Sequence, residues 1–269
     1  MTQHIPVVER VRHDLKFRLA HVVSVERVTP KMARITLTGD DFDSFVSLAY
    51  DDHCKVFFPL PGKSFAVPQP GENGLDWPDG ERPPARDYTP RFYDNAARTL
   101  VLDFVLHGDG PASEWAAAAR PGDVIGVGGP RGSFVVRAQF DWYVLIGDET
   151  ALPAISRRIE ELPRQSKVFA VVEVADNGEI QKLDAPLDAE IHWLSREGER
   201  PGDAARLLGA AMALELPKGE GYVFVAGESA MSKAVRAHFI DQRAHHPDHI
   251  KAAGYWQAGS SDFDDGHAH

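Results

Sequence analysis

The chain has a single cysteine, Cys54, in 269 residues. That excludes an internal disulfide and any iron–sulfur cluster held by four cysteines of one chain. If the protein moves electrons, an organic cofactor must carry them. Long apolar runs are missing too: no stretch of about 18 apolar residues is present to span a bilayer. The opening MTQHIPVVERVRHDLKF mixes charged with apolar residues where a signal peptide needs an unbroken apolar core, so a cytoplasmic location is expected. Positive charge is scarce, with 29 Lys and Arg against 40 Asp and Glu and a net charge of −11. Such a field repels nucleic acid and anionic membrane surfaces and leaves room only for a local basic pocket. There is no internal repeat, no nucleophile-elbow sequence and no zinc-protease helix motif, so a hydrolase has no residues to build on. The histidines of HHPDHI (245–250) and the terminal HAH lack the ligand pattern of a known metal geometry and read as solvated turn and tail.

The residues present are those of an ordinary globular protein, 43% hydrophobic and 26% charged, long enough for two domains. From Leu19 to Val136 short strands alternate with turns. MARITLTG (32–39) sets Ala33, Ile35 and Leu37 against Arg34, Thr36 and Thr38, and TLVLDFVLH (99–107) sets Leu100, Leu102, Phe104 and Leu106 against Val101, Asp103, Val105 and His107. With VVSVERV, HCKVFFPL, DVIGVGG and GSFVV these make six strands, the number for a small closed antiparallel barrel. One helix, PASEWAAAAR (111–120), interrupts them. After RAQFD (137–141) the pattern changes. WYVLIGDETALPAISRRIEELP, KVFAVVEVAD, AEIHWLS, DAARLLGAAMALEL and GYVFVAGESAMSKAVRAHFIDQRA read as buried strands and helices in alternation. The expected fold class is therefore β plus α/β: a six-stranded antiparallel β-barrel over residues 1–138, then a doubly wound parallel-sheet domain over residues 139–269. The Pro/Gly-rich stretch 61–86 is too long for a barrel turn, and is either a functional flap or a mobile insertion.

PARDYTPRFYD (84–94) is the densest cluster of residues that can bind a cofactor. On a strand, Arg86 and Tyr88 share a face. The guanidinium offers a fork for phosphate and the phenol ring a face for an aromatic group, while the Thr89 hydroxyl or amide can reach a ring nitrogen. DFVLHGDGPASEWA (103–116) leads from a strand through glycines into a helix whose first-turn N–H groups form an anion site suited to a pyrophosphate. Gly110, Ala112 and Ser113 are small enough for phosphates to approach the backbone. GVGGPRGSF (126–134) lacks the glycine spacing of a dinucleotide fingerprint and reads as a tight turn with Arg131 available to anions. In the second half, GDETALPA (147–154) and AGESAM (226–231) follow strands and precede helices, where a nicotinamide nucleotide can lie. In WLSREGERPG, Ser195, Arg196 and Arg200 follow a strand and either grip an adenosine 2′-phosphate or form a charged loop.

In this order, HCKVFFP, RDYTPRFYD, LDFVLHGDGPASEWAAAARPGD, GGPRGSF, GDETALPAI, AGESAMSKAVR and GYWQAG resemble the siderophore-interacting protein family of flavoproteins, within the ferredoxin–NADP reductase-like superfamily, over nearly the whole chain. The resemblance implies FAD, with Arg86 on the flavin phosphate, Tyr88 against the isoalloxazine and Thr89 near its reactive edge. Asp103, Phe104, Val105 and His107 would line the rest, and Ala112 and Ser113 would meet the pyrophosphate. Asp148 and Thr150, with Gly227 and Glu228, would receive NAD(P)H. The implied activity is reduction of a ferric siderophore to release ferrous iron, with the flavin dividing a two-electron donor into one-electron steps. The implied alternatives are a reductase fed by ferredoxin or flavodoxin, and a non-catalytic siderophore-binding flavoprotein. Lys55, Arg91 and Arg131 are the candidate basic patch for an anionic ferric siderophore. Tyr255 or Trp256 either covers the flavin or packs in the core. A monomer is sufficient for such a barrel and α/β pair.

Overall fold

The computed structural model describes residues 7–71, 74–108 and 110–260. The chain divides into two compact units, Val11–Ser133 on the one hand and Phe134–His269 with Met1–Arg10 on the other. Through the first part run β1 (Val8–Arg12), β2 (Phe17–Thr29), β3 (Met32–Thr38), β4 (Cys54–Phe57), β5 (Gln69–Gly71), β6 (Gly74–Asp76), β7 (Ala85–Tyr88), β8 (Phe92–Asp94), β9 (Thr99–Val105), helix α1 (Pro111–Ala118), β10 (Val124–Gly128) and β11 (Gly132–Val136).

Seven of these strands form one antiparallel sheet, in the order β7-β4-β10-β2-β3-β9-β8. Its two edges, β7 and β8, are joined by Thr89, Pro90 and Arg91 alone. Four Cα steps reach at most about 14 Å. The edges of a flat seven-stranded sheet would lie about 29 Å apart. The sheet is therefore curled until its edges meet. Pro90, which has no N–H to give a ladder, breaks what is otherwise one strand into β7 and β8, so the barrel has six strand positions. Their membership differs from the sequence expectation. GSFVV lies outside the barrel sheet, because β11 pairs with β1, and RDYT–FYD takes the sixth place. The alternation read in β3 and β9 does fill the barrel: Ile35, Leu37, Leu100, Leu102 and Phe104 are all fully buried.

The 61–86 stretch carries the β5–β6 hairpin and is anchored by aromatic rings. Phe65 and Trp77 pack on Phe17 at 6.4 and 5.9 Å between centroids, and Trp77 lies 5.2 Å from Phe57. Gly126 makes this possible, since a Cβ there would sit 2.5 Å from the Phe17 ring and 2.7 Å from that of Phe65.

The second unit contains β12 (Trp142–Asp148), α2 (Leu152–Glu161), β13 (Val168–Val174), β14 (Glu190–Ser195), α3 (Ala204–Ala213), β15 (Gly221–Glu228), α4 (Ser229–Ala237) and β16 (Ile250–Trp256). The five strands are parallel, in the order β14-β13-β12-β15-β16. Every residue of β12, β13 and β15 is buried, as expected of strands covered on both faces. The chain winds outward from β12 in both directions, so the topological switch point lies between β12 and β15. In open α/β sheets ligands bind in the crevice beyond the carboxyl ends at that point. Among the described residues no helix is long and apolar enough to cross a membrane.

Candidate functional site

In the barrel, Arg86 stands opposite Val56 and Tyr88 opposite Cys54. Val56 and Cys54 are fully buried, so both β7 side chains start from the inward-facing side of the strand. The half-buried Tyr88 ring lies 4.3 Å from Phe104 and 6.3 Å from Phe58, and both of those rings pack on Trp115 of α1, at 5.7 and 5.5 Å. Burial pushes the Tyr88 phenol pKa up, and the charge of Arg86 offsets part of that rise. The hydroxyl thus stays protonated at neutral pH. Arg86 Nη1 donates to the Ala85 carbonyl at 2.8 Å. Thr89 is buried beside Pro90 at the seam. One aromatic chain thus links the seam, the end of β9 and the body of α1.

The start of α1 has the form an anion needs. Gly110 occupies the N-cap with φ 85°, has no side chain to offer, and is followed by Pro111. The first intrahelical bond is Glu114 N–H to Gly110 O at 3.0 Å. The amides of Ala112 and Ser113 precede it and have no carbonyl within the helix. The Ser113 hydroxyl is turned the other way. It accepts from the amides of His107 and Gly108 at 3.0 and 3.2 Å, which fixes the exposed turn leading into the helix. A phosphate would meet the Ser113 amide rather than its hydroxyl. A supported phenol ring, a neighbouring guanidinium and an uncapped helix start fit a flavin dinucleotide.

Asp103 is held differently from a cofactor-lining residue. Arg34, opposite it on β3, donates to its carboxylate from Nε and Nη2 at 2.7 Å each, and Arg91 Nε lies at 3.8 Å. Phe104 is part of the barrel core, while Val105 is half-buried. Of the three candidate patch residues, Lys55 lies 3.0 Å from Asp87, and its backbone pairs with Gly128 at the turn carrying the exposed Arg131. Arg91 belongs to the Asp103 group. Two of the three positive charges therefore already face a carboxylate.

In the second unit the predicted residues converge on the switch point. Asp148 ends β12 and is almost fully buried. Its Oδ1 accepts from the Thr150 amide at 2.9 Å and the Thr150 hydroxyl at 2.5 Å, and its Oδ2 from the Glu228 amide at 3.0 Å and Trp256 Nε1 at 2.8 Å. Burial and the neighbouring Glu149 charge raise its pKa, while these donors oppose the rise. Three of the four partners are N–H groups that need an acceptor, and the Thr150 hydroxyl can either give or accept a proton. Gly227 has φ 135°, and a Cβ on it would lie 2.4 Å from Asp148 Oδ2, so both the backbone and the approach demand glycine. The Glu228 carboxylate caps α4 through the Met231 amide at 2.9 Å and holds the Ala258 amide at 3.3 Å.

Arg196 is not available to a 2′-phosphate. It is 5% exposed, bonded to both oxygens of Glu149 and 3.2 Å from Glu173, which also faces Arg206. Burial alone would lower its pKa, but the hydrogen bonds and charges of the two glutamates outweigh it and hold the guanidinium protonated. Ser195 donates to Glu197 at 2.6 Å, and Arg200 is exposed. The glutamates of this network, Arg34, and the Asp148–Trp256 contact escape sequence reading, since each depends on strand register or order. The half-buried His245 packs on Trp142 and Phe239, and burial lowers its pKa. No metal-binding group of three His, Cys, Asp or Glu occurs among the described residues, and HAH lies outside them.

The model of the siderophore-interacting FAD-binding domain matches residues 21–134, and that of the siderophore-interacting protein matches residues 140–259. The chain is 40% identical over 254 residues to the NADPH-dependent ferric-chelate reductase of Escherichia coli K12, covering 93% of this chain and 96% of that one. It is 34% identical over 252 residues to the ferric vibriobactin reductase of Vibrio cholerae, covering 91% of each. The crystal structure of a siderophore utilization protein from T. fusca superposes with a TM-score of 0.88 at 43% identity, over 96% of this chain and 99% of that one. With both halves matched and relatives of this identity along nearly its full length, the chain belongs to the siderophore-interacting protein family of FAD-binding proteins.

Proposed function

We propose that this protein is a flavin-dependent ferric-siderophore reductase that passes electrons from NAD(P)H through FAD to an Fe(III)-siderophore and releases Fe(II). The observation that carries the reading is the barrel seam: RDYTP closes the sheet and joins, through Tyr88, Phe104 and Trp115, the helix α1, whose start is uncapped. In one chain it accompanies a doubly wound sheet with its switch point at Asp148 and Gly227, and the relatives are named as reductases of ferric chelates and ferric vibriobactin. Bound FAD supplies what no side chain here can, acceptance of a hydride and release of its electrons one at a time.

The chain's own residues bind and orient. Arg86 meets the flavin phosphate, Tyr88 supports the ring, Thr89 bonds near its edge, and the Ala112 and Ser113 amides hold the pyrophosphate. Asp103 acts through Arg34 and Arg91, which it fixes in place. Residues 1–138 are taken as the FAD-binding domain and 139–269 as the NAD(P)H-binding domain, a reading supported by family models that end at 134 and begin at 140. NADPH is the donor, as in the name of the E. coli relative. With Arg196 locked by glutamates, Arg200 is the cation left in that loop for a 2′-phosphate. Lys55, Arg91 and Arg131 attract the ferric complex, and the reaction takes place in the cytoplasm.

An anaerobic visible spectrum tests the electron path. A flavin band that bleaches with NADPH and returns on adding a ferric siderophore is the expected result. A band untouched by NADPH moves the donor to ferredoxin or flavodoxin, and no bound or reconstitutable flavin overturns the reading.

A further inference from the structure

Asp148 has four hydrogen-bond donors and no contact left for a nucleotide. Its oxygens tie the turn after β12 (Thr150), the end of β15 (Glu228) and the end of β16 (Trp256) into one knot at the switch point. The Trp256 indole is fixed from a second side. Gly202, in the loop between β14 and α3, has φ 96°, and a Cβ there would meet the far edge of the ring at 3.2 Å. The residue is nonetheless not fully buried, so part of its surface stays open to a ligand. Trp256 also reaches back from the end of an edge strand, so its indole spans the carboxyl ends where the crevice of a doubly wound sheet lies. A carboxylate buried beside Glu149 and Glu228 would repel a pyrophosphate if it faced the crevice. Turned inward and saturated with donors, it fixes the groups around it instead.

We infer that Asp148 is a positioning residue that holds the Trp256 indole, through its N–H, as the aromatic platform on which the nicotinamide nucleotide seats at the switch point. This rests on the reading of the second unit as the NAD(P)H site. The Thr150 hydroxyl is fixed by the same carboxylate, so the seat consists of the indole face and backbone, with Asp148 beneath both. An indole without its N–H bond to Asp148 turns about its side-chain torsions, and the nucleotide must then order it on binding, at an entropic cost to affinity.

The test compares the FAD-loaded wild type with Trp256→Phe, Asp148→Asn and the double variant, by calorimetric titration with NADP+ and by steady-state reduction of ferric citrate with NADPH. Trp256→Phe keeps a ring and removes the N–H, and Asp148→Asn keeps shape and removes the charge. Each single variant is expected to weaken NADP+ binding and raise the KM for NADPH by about tenfold, with kcat changed less than about twofold. The double variant should lose no more than the worse single one, because both act on one contact. Thermal melting identifies any variant that fails to fold, and Trp256→Phe alone then decides. Additive losses, or NADP+ affinity unchanged in Trp256→Phe, overturn the inference. If the wild type itself binds no NADP+, the assignment of the nucleotide site fails instead.

Discussion

Asp52 shows how one residue can tie a loop to the barrel at a charge cost. It is 4% exposed and accepts from Ser47 Oγ at 3.0 Å, the Ala49 amide at 3.1 Å and Ser133 Oγ at 2.6 Å. Ser133 in turn meets His13 Nε2 at 2.7 Å and the Leu48 amide at 3.1 Å. Burial raises the Asp52 pKa above its ordinary 3.8, the Asp51 charge adds to the rise, and the three donors oppose it. In the unfolded chain the group ionises near 3.8, and in the folded protein only at higher pH. Its contribution to stability is therefore complete below the unfolded value and lost as pH rises through the folded one. Asp52→Asn cannot ionise. Denaturant unfolding from about pH 3.5 to about pH 7 should show the wild type losing stability relative to Asp52→Asn as pH rises, then a constant difference. A difference that is flat across the range, or that moves the other way, refutes the assignment of Asp52 as a carboxyl strained by burial. Asp148 shares the burial and the upward pull on its pKa, and differs in that its partners lie on both oxygens, whereas those of Asp52 all meet Oδ2.

Among the elements, the most informative case is the 61–86 segment. Its length and its Pro and Gly content are visible in the sequence, but what holds it is not. Trp77 touches Phe17, Phe57 and Phe65, at 5.9, 5.2 and 6.2 Å. Aromatic pairs of this kind are each worth about 0.5–1.5 kcal/mol beyond area burial, enough together to keep a long loop closed. Trp77→Ala should therefore speed trypsin cleavage after the exposed Lys63 by about tenfold, with cleavage elsewhere and FAD content unchanged. Equal acceleration at all sites would mean that the barrel, and not the loop, had loosened. The same elements mark what sequence reading can reach. Strands β3 and β9 are legible because each buries one face for seven residues, and β12, β13 and β15 because they are apolar throughout. The seam is not legible as barrel wall, since β7 has four residues and β8 three, too few to show a period of two. Strand β16, IKAAGYW, is partly exposed at a sheet edge and has Ile250 as its one β-branched residue. The candidate site divides in the same way. The uncapped α1 start and the two strand–turn–helix junctions can be read locally. The pairing of Asp103 with Arg34 depends on cross-strand register, and the meeting of Asp148 with Gly227 and Trp256 on strand order, neither of which a local pattern contains.

Over the whole molecule, a net charge of −11 opposes the approach of an anionic ferric siderophore, and Lys55, Arg91 and Arg131 favour it if they line its path as proposed. The local gain is small in net charge, because Lys55 faces Asp87 and Arg91 shares Asp103 with Arg34. What separates the two influences is range. At about 10 mM salt the screening length is about 30 Å and the whole surface acts, whereas at about 0.1 M it is about 10 Å and only nearby charges count. Salt should therefore relieve the global repulsion before it weakens the local attraction. The triple variant Lys55→Ala, Arg91→Ala, Arg131→Ala retains the repulsion and has lost the attraction. Its kcat/KM for an anionic ferric chelate should be lower than wild type at low salt and should rise more steeply as salt increases. For a cationic ferric complex the order reverses: the variant should start higher and fall more steeply. Flavin content and melting temperature must match wild type, because removing Arg91 also unbalances Asp103. Equal salt slopes for the two proteins with the anionic chelate would show that these three residues do not face the path of the ferric complex, and that the flavin is reached from another side of the barrel.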